Sequence, residues 1–327
     1  MAEPLLQVSG LRVGFDVYGG TLRVLNGVNF YLEEGEKVGL VGETGCGKTT
    51  TAKAILRILP EPPARIMGGS VAFRKRSVLE MNDKEVREMH AHGVAMIFQD
   101  PTASLNPVFT IGDQLMSAIR YSRLEEKLSR NEVRERALLA LREVALPDPT
   151  RILDNYPIQL SGGMRQRICI AMALAANSQL MIADEPTTSL DVTIQDQVLR
   201  LLGKLVLEKD TATILITHSL GIVREWTGRV YVMYAGSMVE TAPTEELFSE
   251  PRHPYTRGLM KAVPKLTGEG IAEGIGGRIP NYLTPPEGCR FHPRCPHRMD
   301  ICSKEIPPYF GVGRRHQVAC YLYQDEH

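Results

Sequence analysis

The sequence predicts an α/β fold with a largely parallel sheet, and three observations carry that prediction. Four short apolar runs, VGLV (38–41), VAMIF (94–98), LMIA (180–183) and TILIT (213–217), read as strands buried on both faces. Helical periodicity fills the segments between them, the alternation that builds parallel sheets. A glycine-rich loop follows the first run directly and opens a helix expected over 50–58.

The whole chain has 327 residues, 43% hydrophobic and 23% charged, enough for a sizeable core and more than one domain. Its 38 basic and 38 acidic residues cancel, so no global field argues for nucleic acid or an acidic membrane surface. MAEPLLQVSG has neither a basic nor an apolar leader region, so no secretory signal is expected. The longest apolar candidate, VLRLLGKLVL (198–207), is interrupted by Arg200, Gly203 and Lys204 and reads as an amphipathic core helix. A cytoplasmic location is expected, with any membrane association made through a partner.

The loop itself, GETGCGKTT, runs through Gly42, Glu43, Thr44, Gly45, Cys46, Gly47, Lys48, Thr49 and Thr50. It matches G-x-x-x-x-G-K-[ST] in the strand–loop–helix context that the motif needs. Glycines let consecutive N–H groups converge on phosphate oxygens, and the helix N-terminus adds a favourable dipole. Lys48 is suited to the β- and γ-phosphates and the Thr49 hydroxyl to Mg²⁺. Cys46 reads as a small filler where the loop needs little side-chain volume, with a reactive thiol near a helix N-terminus as the alternative.

Between 111 and 144 the sequence turns highly charged and helical, the mark of a helical subdomain inserted at about 100–160 with solvated faces. LSGGMRQR then starts a second glycine-rich helix: Ser161 suits the N-cap, and Gly162 and Gly163 leave N–H groups open to an anion. Two phosphate-binding helix starts on one chain make sense if they face different nucleotides, the second completing a site on another subunit. LMIADEP supplies Asp184 for a metal and Glu185 to polarise an attacking water. Gln99 and His218 close the remaining strands, at the edge where α/β folds bind ligands.

After Glu240 the composition shifts: 11 of the 21 prolines lie between Pro243 and Pro308, and four of the six cysteines fall in the last 39 residues. Cys289, Cys295, Cys302 and Cys320 are spaced C-x5-C-x6-C-x17-C. Stable disulfides are disfavoured in a cytosolic chain, so metal is the leading reading, with zinc and a [4Fe–4S] cluster equally matched on spacing. His292 and His297 lie among these cysteines as substitute ligands or plain turn residues, while Cys169 is assigned to the core. A bound metal would order a segment too poor in apolar residues to pack unaided.

GETGCGKT, Gln99, LSGGM, LMIADE, the turn Ser189-Leu190-Asp191 and His218 together resemble the motif set of ABC transporter nucleotide-binding subunits, in the family's order. FQDPTASLNP, YAGSMVE, HPYTRGLMKAVP and GCRFHPRCPHRMDIC narrow the likeness to the ATPase subunits of dipeptide/oligopeptide importers, over nearly the whole chain. The resemblance implies a P-loop NTPase (RecA-like) core with an antiparallel β subdomain over 1–240, then a cysteine-rich extension over 241–327. It implies two ATP molecules between two such subunits, each held by one chain's loop and the other chain's Ser161, Gly162, Gly163 and Asp191. Glu185 would be the catalytic carboxylate, His218 and Gln99 would approach the γ-phosphate, and Thr49, Gln99 and Asp184 would serve Mg²⁺. Phe15 best matches the aromatic that stacks on adenine, with Tyr18 as its rival. The implied partners are a second ABC ATPase subunit, identical or paralogous, two membrane permease subunits and, indirectly, a solute-binding protein, at the cytoplasmic face of the membrane. The same resemblance favours the [4Fe–4S] cluster over zinc. A soluble ABC ATPase outside transport is the alternative; the absence of coiled-coil heptads and of a second cassette argues against it.

Overall fold

The computed structural model describes residues 3–123, 126–176, 178–187, 190–208, 210–262 and 274–325, apart from the side chains of Val192 and Thr193. The chain divides into two compact units: Met1–Glu33, Lys37–Glu80 and Ile216–His327 form the first, Glu34–Glu36 and Met81–Leu215 the second.

The first unit begins with an antiparallel sheet in the order Gly20–Leu32, Leu6–Val17, Ala64–Phe73, Arg76–Ser77. Along Leu6–Val17 the buried positions Leu6 and Val8 alternate with exposed ones, then the phase slips to Leu11 and Val13. The slip coincides with a register shift between Val8 and Leu11, where a bulge re-aims the strand and keeps one face apolar. This is the antiparallel subdomain that the resemblance implied.

A second set of strands in this unit carries the phosphate loop. Lys37–Val41 runs parallel to Arg229–Tyr234, which turns back antiparallel onto Ser237–Pro243. All six residues of Arg229–Tyr234 are buried. The extension joins this layer: Gln317–Val318 pairs antiparallel with Ser237–Pro243 and in turn with Phe310–Gly311. Apolar packing is present here after all, in a cluster of Val318, Cys320 and Tyr323 flanked by Phe310 and Val312. Tyr234, Tyr255 and Phe291 form a second knot, with ring centroids 4.7 to 5.5 Å apart. His316, fully buried, lies between Glu240 (Nε2 to Oε1, 2.7 Å) and Glu246 (Nδ1 to Oε1, 3.0 Å). Burial disfavours the charged ring, but the two carboxylates outweigh it and raise the His316 pKa.

In the second unit the strands lie in the order Ala212–Ile216, Leu180–Asp184, Val94–Ile97, the last two parallel. The four predicted runs are strands, with small differences at their ends. Phe98 and Thr217 fall outside, because each chain segment leaves the ladder before its polar residue. The charged insert carries two helices, Ile111–Tyr121 and Arg130–Glu143. Each opens on a capping box, Thr110 with Asp113 and Ser129 with Glu132, so the second start is written into SRNE. The helix Gly162–Ala175 packs against both. Among the described residues no helix is long and apolar enough to cross a membrane.

Candidate functional site

In the first unit the strand Lys37–Val41 delivers the chain into the glycine loop, and the helix Lys48–Ile55 leaves it. This helix starts earlier than 50 and stops earlier than 58: Gly47, at φ 111°, is its N-cap, and Arg57 already has a positive φ of 54°. Gly42 permits the tightest approach in the loop, since a Cβ there would lie 2.1 Å from the Met233 carbonyl oxygen. Lys48 is only 5% exposed, and its ammonium donates to the carbonyls of Gly42 (2.8 Å) and Glu43 (3.2 Å). Those bonds fold the long side chain back over the loop, into the concavity that phosphates would enter.

His218 follows the strand Ala212–Ile216 and comes within 3.5 Å (Nε2 to Oγ1) of Thr44 in the loop. The two strand-end expectations within this unit are therefore brought together. Cys46 is buried, and burial pushes its thiol pKa up, which fits a filler and not a reactive group. Phe15 is half-buried in Leu6–Val17, paired across to Leu22 and Ala64, whereas Tyr18 stands fully exposed in the hairpin turn.

In the second unit the parallel register does the placing. Ile97 is level with Ala183, so the residues two further on, Gln99 and Glu185, leave their strands side by side. The Gln99 amide Nε2 donates to Glu185 Oε2 at 2.9 Å. Asp184, the last residue of its strand, is 2% exposed, while Glu185 turns away at φ 45°. Adjacent carboxylates thus point differently, one inward at the strand end and one toward Gln99.

At the second glycine-rich start the expected N-cap is present. Ser161 caps Gly162–Ala175, its Oγ accepting from the Met164 N–H at 3.3 Å. Behind it, Gly163 faces Ile194, and a Cβ on Gly163 would lie 2.8 Å from that side chain. The Asp191 carboxylate accepts from the Ile194 N–H at 3.1 Å, at the start of the helix Val192–Glu208. Ser161, Gly162, Gly163 and Asp191 line one open pocket. Ser189, the first residue of the predicted turn, lies outside the described residues.

Cys289, Cys295, Cys302 and Cys320 line a single pocket, with His292 and His297 also at its wall. Burial pushes the Cys289 thiol to about 11 and that of Cys320 to about 12. Among the described residues, no three His, Cys, Asp or Glu side chains are close enough to hold one metal ion. Cys169 sits in the core, as expected, and burial beside Asp100 raises its pKa to about 12.

Sequence reasoning missed a set of contacts on the back of the phosphate loop. Arg294 pairs with Glu43, Tyr255 accepts the Glu43 N–H, and Tyr282 donates to the Gly45 carbonyl. Each lies more than 200 positions away in sequence, and no local spacing signals it.

The family model described as ABC transporter matches residues 25–188, and that described as oligopeptide/dipeptide transporter, C-terminal region, matches 239–302. The chain is 44% identical to the dipeptide transport ATP-binding protein DppD of Bacillus subtilis, covering 99% of this chain and 96% of that one. It is 42% identical to the oligopeptide transport ATP-binding protein OppD of the same organism, over 97% of this chain and 88% of the relative. Among solved structures, the dimeric ATP-binding cassette MJ0796 bound to ADP and Pi superposes with a TM-score of 0.65 at 26% identity, over 73% of this chain and 98% of that one.

Proposed function

The chain belongs to the ABC transporter family, among the ATP-binding subunits of peptide transporters, and from that premise we propose that it drives peptide import. It is an ATPase, hydrolysing ATP to ADP and phosphate. The observation that carries the importer reading is the joint presence of the ATP cassette and the peptide-transporter C-terminal region in a chain that its relatives match end to end. We assign 1–240 to the cassette, with its helical insert at about 100–160, and 241–327 to the extension.

The residues take roles that their geometry supports. Lys48 and the loop N–H groups bind the triphosphate, and Phe15 stacks on adenine, its half-buried ring being better anchored than the exposed Tyr18. Thr49, Gln99 and Asp184 would hold Mg²⁺, which when bound would supply positive charge against the charge developing on the phosphates. Glu185 accepts a proton from the attacking water while Gln99 orients the carboxylate. His218 contacts the γ-phosphate from the side of Thr44. Ser161, Gly162, Gly163 and Asp191 close over a nucleotide held by a second ABC ATPase subunit, a role supported by the dimeric state of the relative bound to ADP and Pi. The remaining partners are two membrane permeases at the cytoplasmic face and, through them, a solute-binding protein.

Reconstituted with its permeases and partner ATPase in vesicles, the chain should support ATP-dependent uptake of a dipeptide or short oligopeptide, and Lys48→Ala should abolish it. Uptake that continues at the wild-type rate in that variant, or a complex that moves no peptide, contradicts the reading.

We propose that Cys289, Cys295, Cys302 and Cys320, which line one pocket, are the ligands of a [4Fe–4S] cluster, the group that the resemblance to peptide-importer subunits favours. The cluster would supply a crosslink between Cys289, Cys295, Cys302 and Cys320 and stabilise the extension. Chain purified without oxygen should contain about four irons; stoichiometric zinc without iron would overturn the assignment.

A further inference from the structure

The phosphate loop carries a charge of the wrong sign. Glu43 is its second residue, and a carboxylate there repels the triphosphate that the loop exists to bind. We propose that Arg294, in the cysteine-rich extension, is a positioning residue for the nucleotide: it neutralises Glu43 and holds the phosphate loop in its binding shape. This deepens, and rests on, the assignment of the loop to ATP.

The geometry is that of a built contact. The guanidinium engages Glu43 as a fork, Nη1 to Oε2 at 2.8 Å and Nη2 to Oε1 at 3.1 Å. Its other N–H groups donate to the carbonyls of Gly276 (2.8 Å) and Ile275 (3.0 Å) and to the Tyr234 hydroxyl (3.3 Å), so all five donors are used. The Arg294 side chain is 4% exposed and that of Glu43 26%, so the pair is shielded from the screening that weakens surface ion pairs.

Arg294 reaches this place because of the turns on either side. The segment from Cys289 to Cys295 is a chain of tight turns, with His292 N–H donating to the Cys289 carbonyl, Arg294 N–H to Phe291 and Cys295 N–H to His292. Phe291 on the same segment packs against Tyr234 and Tyr255. Tyr255 then accepts the Glu43 N–H at 2.8 Å, and Tyr282 donates to the Gly45 carbonyl at 2.8 Å. Three side chains from beyond residue 254 thus fasten the loop through its carboxylate, an N–H and a carbonyl. The extension is therefore part of the nucleotide site.

The test is nucleotide affinity of the full chain, read with a fluorescent ATP analogue and Mg²⁺, together with KM and kcat in the assembled complex. Arg294→Gln should weaken binding by about tenfold, the effect of one unpaired charge near the phosphates, and raise KM with little change in kcat. Adding Glu43→Gln should restore most of the affinity, because the charge that Arg294 neutralised is then gone. An arginine that served only the stability of the fold would lower Tm without raising KM at unchanged kcat. Wild-type affinity in Arg294→Gln, or a double variant as weak as the single, overturns the proposal. Should Arg294→Gln fail to fold, Tyr282→Phe, which deletes one hydroxyl on the same loop, should weaken binding about threefold, and an unchanged affinity there counts against the clamp. A wild-type chain that binds no nucleotide would instead refute the assignment of the loop to ATP.

Discussion

Glu185→Gln should lower ATP turnover by roughly 10²–10⁴-fold, the contribution of a positioned general base, while leaving ATP binding intact. The substitution keeps the size of the side chain and its capacity to face Gln99, which donates to Glu185 Oε2 at 2.9 Å. It removes only the lone pair that takes a proton from water. Binding persists because Lys48 and the loop N–H groups, which hold the phosphates, belong to a different segment of the chain. Phosphate release at saturating ATP, set beside equilibrium binding of the same variant, separates the two steps. Turnover near the wild-type level would assign the base elsewhere; loss of binding would make Glu185 part of the phosphate site.

The second large effect concerns Ser161. Ser161→Arg should abolish ATP-driven closure with the partner ATPase subunit and with it hydrolysis, yet leave nucleotide binding by the isolated chain nearly unchanged. Ser161 caps its helix through one bond to the Met164 N–H, and losing such a cap costs roughly 1 kcal/mol. That is too little to unfold a helix whose Ile168, Cys169, Ile170, Ala171 and Leu174 are buried. The arginine would instead fill the pocket in front of Gly162 and Gly163, where the other subunit's triphosphate is to enter. Association measured by light scattering with and without ATP reports closure, and titration of the isolated chain reports binding. A fall in the isolated chain's affinity would place Ser161 at its own nucleotide.

Much of this site was legible in the sequence because its parts are local. The phosphate loop needs only a strand, a glycine turn and a helix in succession, and Ser161 needs only the residues three positions on. The sequence put Gln99 and Glu185 at strand ends without pairing them; the pairing follows from the parallel register, in which residues equally far past a matched pair, here Ile97 and Ala183, emerge together. Predicted helix limits slipped where backbone geometry, not apolar periodicity, sets the boundary, at Gly47 and Arg57. The charged insert was legible as helical from its periodicity, and the Ser129–Glu132 capping box marks the start of its second helix. His316 lies in a charged GRRHQ stretch that reads as solvated, yet it is buried between Glu240 and Glu246. The clamp of Arg294, Tyr255 and Tyr282 on the loop was invisible, since spacing carries no information about contacts made more than 200 residues apart. Tyr255 stood within the HPYTRGLMK stretch, but nothing local tied it to Glu43.

A structure of the assembled complex trapped with Mg²⁺ and ATP in the Glu185→Gln background tests the central idea most directly. The account predicts that each nucleotide lies on the Lys48 loop of one ATPase subunit, with Ser161, Gly162 and Gly163 meeting the nucleotide on the opposite subunit. A single chain whose Gly162 and Gly163 touch the nucleotide bound by its own Lys48, with no second ATPase subunit present, contradicts it.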